Sequence, residues 1–285
     1  MSETGQLALH SQNRGFHWQP RSGPFRLVSD QQAASYNERG YFLLEGAIPR
    51  EELDRLIAEI DPIEAEMERA LRAMGGKAFI ARAGEITFTA HLVKRSERLA
   101  RFTRSQLFCD LGHDLLGPNV RLYWDQAVYK KPGTQAPFPW HQDNGYTFVE
   151  PQQYLTCWVA LTDATLETGC PWVVPGLHRQ GTLAHQTSEL GHVCLDGWPD
   201  EAVAVEALAG DVVVFSSLTP HATGPNRTDS ARKAYIVQFA PDGAEVLTRG
   251  PDGALVRTPA ASKSRQYRIL EGGKRSDEVR TRVRE

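Results

Sequence analysis

Val120-Arg121-Leu122-Tyr123-Trp124-Asp125-Gln126-Ala127-Val128-Tyr129 follows the break Gly117-Pro118. It is dense in β-branched and aromatic residues and reads as a strand. Period-two alternation puts Leu122, Trp124, Gln126 and Val128 on one face. Similar short runs follow: Tyr154–Leu161, Pro171–Val174, Val203–Val205, Asp211–Phe215 and Ala234–Phe239, separated by Gly, Pro and Asn clusters. Strands at this spacing predict a β-sandwich or barrel. Before Gly117 the pattern is helical. Asp30–Arg39 is a helix with Asp30 as N-cap and Gly40 as its stop, and Tyr41-Phe42-Leu43-Leu44 is a buried strand. After Pro49, Leu53, Leu56, Ile57 and Ile60 recur at helical spacing, and the helix is expected to run on to Gly75-Gly76. Leu99–Phe102 and Leu107–Leu115 are also helical. The fold class is α+β to mainly β, with helices of the N-terminal third packed outside the sheet.

Composition bounds the function. Lys+Arg number 32 against Asp+Glu 35, a formal charge of −3, which argues against a general nucleic-acid binder. No apolar run is long enough to span a bilayer, and the first residues lack the apolar core of a secretory signal. Cys109, Cys157, Cys170 and Cys194 form no C-x-x-C pair, so zinc ribbons and dithiol redox chemistry are not expected. Reduced thiols suggest a cytoplasmic protein. Residues 1–24 read as a flexible arm in which Phe16 and Trp18 have the means to dock, residues 25–261 as one domain, and residues 262–285 as a charged tail. The tail's eight basic residues, Lys263, Arg265, Arg268, Lys274, Arg275, Arg280, Arg282 and Arg284, are interleaved with acids and read as solvated.

The chemistry sits in Trp140-His141-Gln142-Asp143. On extended backbone His141 and Asp143 point to the same side, and imidazole plus carboxylate suits a first-row divalent metal. Taken alone, such a triplet is a common accident. His221 follows the strand Asp211–Phe215, and Arg232 opens the strand Ala234–Phe239, where its guanidinium fork can bind a carboxylate. Gln126 would aim an amide into an apolar interior; it either makes a structural hydrogen bond or meets a ligand.

These residues, in this order, resemble the phytanoyl-CoA dioxygenase-like group of iron(II)/2-oxoglutarate-dependent oxygenases. The likeness runs from about Ser29 to Phe239. It includes Tyr36–Gly46, Trp140–Asp143, the run Leu161–His178, Gly210–Phe215, His221, Asn226 and Arg232. The resemblance implies a double-stranded β-helix, a cupin-like jelly-roll with iron in its mouth. It implies His141, Asp143 and His221 as the metal triad, Arg232 on the distal carboxylate of 2-oxoglutarate, and Thr223, Trp158 and Gln126 as further cosubstrate contacts. It also implies O2 as co-reactant, with a C–H bond of a small molecule oxidised and succinate and CO2 released. Asp143 favours hydroxylation or another oxidation over halogenation. Tyr123, Trp140, Asn144, Tyr146 and Phe148 are candidate walls of a substrate pocket, or several of the aromatics are simply barrel core. Two departures stand out. The segment Ile86–His91 lacks the lysine that the family often uses on the cosubstrate, leaving Thr89 or His91 as substitutes, and Leu177 replaces a serine before His178. His113, His185 and His192 have no spacing that ties them to the site. The longer tryptophan-rich metal segment of ectoine hydroxylases is absent. The competing readings are a non-catalytic jelly-roll that binds metal or ligand, and a cupin-type enzyme that does not use 2-oxoglutarate.

Overall fold

The computed structural model describes residues 7–277. The strands that shape the site are β1 (Tyr41–Leu44), β2 (Ile86–Ala90), β3 (Val120–Lys130), β4 (Phe138–His141), β5 (Phe148–Glu150), β6 (Leu155–Ala160), β7 (Pro171–Val173), β8 (Val203–Ala204), β9 (Val212–Ser216), β10 (His221–Thr223), β11 (Arg232–Pro241), β12 (Glu245–Arg249), β13 (Leu255–Pro259) and β14 (Arg268–Glu271). The large sheet runs β1-β9-β6-β11-β3-β2, and a smaller one runs β8-β7-β10-β4. Together they form the jelly-roll. A third sheet, β13-β12-β5, extends from it.

The large sheet is buried on both faces. One face carries Leu122, Ala127, Tyr129, Val159 and Val237 against the helices α1 (Asp30–Arg39), α2 (Arg50–Ala73), α3 (Glu97–Phe102) and α4 (Gln106–Leu116). The other carries Val128, Trp158, Val213, Phe215 and Ile236 into the barrel. Helix α1 has the bounds its sequence suggests, but Ser29, not Asp30, caps it, in a reciprocal capping box with Gln32. Gly40 ends it at φ 87°. A Cβ at Gly40 would come within 2.5 Å of Thr219 Oγ1, so only glycine fits. Helix α2 is continuous through Pro62.

Three expectations fail here. Residues 262–277 are not a solvated tail: β14 pairs with the first half of β3, and Tyr267, Ile269 and Leu270 are buried. Their alternation with charged neighbours hid a core strand. The rest of that tail, and residues 1–6, lie outside the described residues. The N-terminal arm is docked, too. Leu9 bridges Leu183, His10 N–H donates to Thr182 O at 2.9 Å, and Trp18 packs edge-on to His178 at 4.4 Å. Finally, Leu122 does not share a face with Gln126. The pairing of β3 with β11 slips between Gln238 and Phe239, which face Trp124 and Leu122. This bulge turns Leu122 toward the helices.

Candidate metal centre

His141 and His221 are direct cross-strand partners on β4 and β10. Their rings lie 4.1 Å apart. Asp143 starts the one-turn helix α5 (Asp143–Tyr146) just past β4, which swings its carboxylate back toward them. The three side chains each offer a ligand atom, all within 4.8 Å of one another. Gln142 nails this corner down: its Nε2 donates to Gly181 O and Leu218 O, and its Oε1 accepts from Leu183 N–H.

The surroundings prepare each donor. His141 Nδ1 lies 2.9 Å from Pro139 O, and His221 Nδ1 lies 3.0 Å from Thr219 O. Each Nδ1–H therefore donates to a carbonyl, which leaves Nε2 as the lone-pair donor. Burial, then the neighbouring His221, hold His141 down to about 3, and burial holds His221 to about 4. Both imidazoles are neutral at physiological pH, so the 3.8 Å approach of His221 Nε2 to Asp143 Oδ1 is a shared ligand sphere rather than an ion pair. Asp143 Oδ2 accepts from Thr156 Oγ1 at 2.6 Å, and Gln238 Nε2 donates to Thr156 Oγ1 at 3.3 Å. Burial pushes Asp143 up. A divalent cation would favour its charged form again. Two imidazoles and one carboxylate on one side of the site form the donor set of non-haem iron(II).

Arg232 lies deeper in the barrel, with 1% exposure, over the Trp158 ring at 5.2 Å. All three guanidinium nitrogens are buried without a hydrogen-bond partner. Its cross-strand partner is Lys130, itself fully buried. Lys130 Nζ donates to Thr223 Oγ1 at 3.1 Å and to Gly224 O at 2.5 Å. Neither cation has a carboxylate in ion-pair contact among the described residues. Burial and Arg232 push Lys130 down to about 6. A buried, unpaired guanidinium is costly.

Arg232 sits over Trp158, its strand partner Lys130 reaches Thr223, and Thr223 lies two residues past His221 on β10. Gln126 faces the barrel but has a structural bond, accepting at Oε1 from Trp124 Nε1 at 3.2 Å. Its Nε2 makes no hydrogen bond among the described residues. Tyr146 stands edge-on to His141 at 5.2 Å, beside the metal site. Tyr123 is buried against Tyr154 at 5.1 Å. Three proposed pocket residues are misplaced. Trp140 alternates with His141 and points the other way, into a cluster with Val174 and Ala222. Asn144 is structural, joining Thr182 Oγ1 at 2.7 Å and Val149 N–H at 2.9 Å. Phe148 stacks on His10 at 4.7 Å.

The missed residues are Lys130, Thr156, Gln238 and His185. Lys130 continues the period-two face of Gln126 and Val128, so the pattern contained it. His185 is not remote: its Nε2 accepts from Gln142 N–H at 2.9 Å, and its ring leaves room only for glycine at Gly145.

Residues 36–234 match the family model for phytanoyl-CoA dioxygenase. The chain belongs to the phytanoyl-CoA dioxygenase family. A probable alpha-ketoglutarate-dependent hypophosphite dioxygenase of Stutzerimonas stutzeri is 25% identical, covering 74% of this chain and 78% of that protein. A methylphosphonate hydroxylase of Gimesia maris is 26% identical, covering 74% and 80%. Among solved structures, the non-heme alpha ketoglutarate-dependent carbocyclase SnoK from nogalamycin biosynthesis superposes with a TM-score of 0.64 at 26% identity, covering 79% and 89%. This family member is therefore an iron- and 2-oxoglutarate-dependent dioxygenase built on a jelly-roll, with O2 as its other co-reactant. No helix among the described residues is long and apolar enough to cross a membrane.

Proposed function

We propose that this dioxygenase hydroxylates an unactivated C–H bond of a small organic substrate. The observation that carries the reading is the Arg232 guanidinium, buried in the barrel with every nitrogen unpartnered, in the same fold as a His–Asp–His donor set whose imidazoles are neutral. His141, Asp143 and His221 would hold iron(II). Arg232 would take the distal carboxylate of 2-oxoglutarate, with Trp158 packed on the guanidinium and Thr223 held by Lys130. Held by these residues, iron(II) with 2-oxoglutarate would supply O2 activation, one oxygen atom going into succinate as CO2 leaves and the other into the substrate C–H bond. The chain's own work is to fix the donors, exclude water and aim the substrate. Asp143 keeps a carboxylate in the metal sphere, which supports hydroxylation over halogenation. Tyr146, edge-on to His141, would border the substrate's approach. The relatives' names speak of small molecules, and the four unpaired cysteines support a reducing, cytoplasmic setting. The test is succinate release from 2-oxoglutarate by the iron(II)-loaded protein across a panel of small substrates. Metal-dependent succinate formation supports the reading, and a protein that binds metal but never turns over 2-oxoglutarate sinks it.

Lys130 gives the cosubstrate reading a pH signature. With Lys130 held to about 6, its amine is mostly neutral at pH 8 in the free protein. An arriving carboxylate raises that value and draws a proton onto Nζ. Calorimetric titration of 2-oxoglutarate at pH 8, repeated in buffers of different ionisation enthalpy, should therefore show net proton uptake. Lys130→Met should abolish the uptake.

A further inference from the structure

The C-terminal segment brings a second cation to the barrel. Residues 262–266 form a tight loop: Arg265 N–H and Gln266 N–H both donate to Ser262 O, and Gln266 Oε1 accepts from Ser262 N–H. The loop is pinned to β3, because Gln266 Nε2 donates to Tyr123 O at 3.2 Å and Arg121 Nη1 donates to Gln266 O at 2.8 Å. Arg265 is thereby laid over Trp124, with its guanidinium carbon 5.7 Å from the ring centre. Its Nη1 is buried and has no hydrogen-bond partner, and no carboxylate pairs with it among the described residues. His91 packs on the same indole at 4.3 Å, and its Nδ1 is also buried and unpartnered. Burial, then Arg265, hold His91 to about 4, and burial holds the Tyr123 phenol at about 12. Both stay uncharged, so Arg265 is the charged member of the group packed on Trp124. Asp125 lies on the opposite face of β3, bound by Val93 N–H and Tyr235 Oη.

The cluster adjoins the metal centre. Trp124 is the cross-strand partner of Gln238. Gln238 holds Thr156, and Thr156 holds Asp143. Trp124 also holds Gln126, whose amide nitrogen is free on the barrel side. A buried guanidinium nitrogen without a partner requires one, and guanidinium favours oxyanions.

We propose that Arg265, with His91 beside it on Trp124, forms a substrate subsite for an oxyanion head group, carboxylate or phosphonate. The substrate class is then a small organic acid, bound by its anionic end at Arg265 while its C–H bond faces the metal. This rests on the dioxygenase reading above for what happens at the metal, but not for the binding itself.

The probes are phenylacetate, phenylphosphonate and the neutral phenylacetamide, titrated by calorimetry into protein loaded with Ni(II), a redox-inert stand-in, and saturated with 2-oxoglutarate so that Arg232 is occupied. At least one acid should bind about tenfold to a hundredfold more tightly than the amide, as a charge-assisted contact predicts. Whichever acid binds tighter names the head group. Arg265→Leu should erase the preference, and Arg265→Lys should keep part of it. Arg265→Gln, isosteric in part and neutral, guards against a packing effect and should behave as the leucine variant does. An Arg232→Leu protein should retain the acid preference although it loses 2-oxoglutarate. Failure of 2-oxoglutarate to bind the wild type would therefore count against the dioxygenase reading alone. Acids that bind no better than the amide, probes that do not bind at all, or a preference that survives in Arg265→Leu would overturn the subsite.

Discussion

His141→Ala should cost the protein its metal, with affinity for Ni(II) or iron(II) falling more than about a hundredfold. Loss of an outer partner of a ligand already costs about ten- to a hundredfold, and this change removes a ligand itself. The remaining donors are one imidazole and one carboxylate whose second oxygen is engaged by Thr156. The fold should survive, because among the described residues the His141 side chain is tied to the protein through Pro139 O and ring contacts alone. Equilibrium dialysis with metal analysis reads the loss, and far-ultraviolet circular dichroism checks the fold. Succinate release should disappear with the metal.

Arg232→Leu should weaken 2-oxoglutarate binding by two to three orders of magnitude while leaving metal binding near the wild-type level. Truncating one side of a buried charge pair costs about 2–5 kcal/mol, and each 1.4 kcal/mol is roughly tenfold. The stability effect has the opposite sign. In the free protein Arg232 is a buried charge without a partner, and burial has already lowered it to about 10. Leucine removes that penalty, so the ligand-free variant should melt at or above the wild-type temperature. The melting shift that 2-oxoglutarate gives the wild type should vanish in the variant. A cupin-type enzyme indifferent to 2-oxoglutarate would show neither effect.

Much of the architecture could be read from residue pattern. Val120–Tyr129 and the later β-branched runs are punctuated by turn residues, and each became a strand with ends shifted by a residue or two. The two-residue spacing of His141 and Asp143 suggested a shared ligand point, but convergence with His221 depended on a strand pairing that no local pattern encodes. The failures have physical causes. Leu122 changed face because the slip opposite Gln238 belongs to two strands at once. Residues 268–271 hid among charges, since only Ile269 and Leu270 are apolar and Arg268 and Glu271 flank them. Lys130 lay one residue past the strand as read to Tyr129, although its period-two face leads straight to Gln126. Trp140 was legible and misread: it precedes His141 on one strand, so alternation sends it to the other face.

One barrel mouth should hold metal and cosubstrate as a unit. Anaerobic calorimetric titration of 2-oxoglutarate into metal-loaded wild type, His141→Ala and Arg232→Leu tests it most directly. One molecule should bind per wild-type chain, more weakly without metal or in His141→Ala, and scarcely at all in Arg232→Leu. Equal binding by all three proteins would contradict the account.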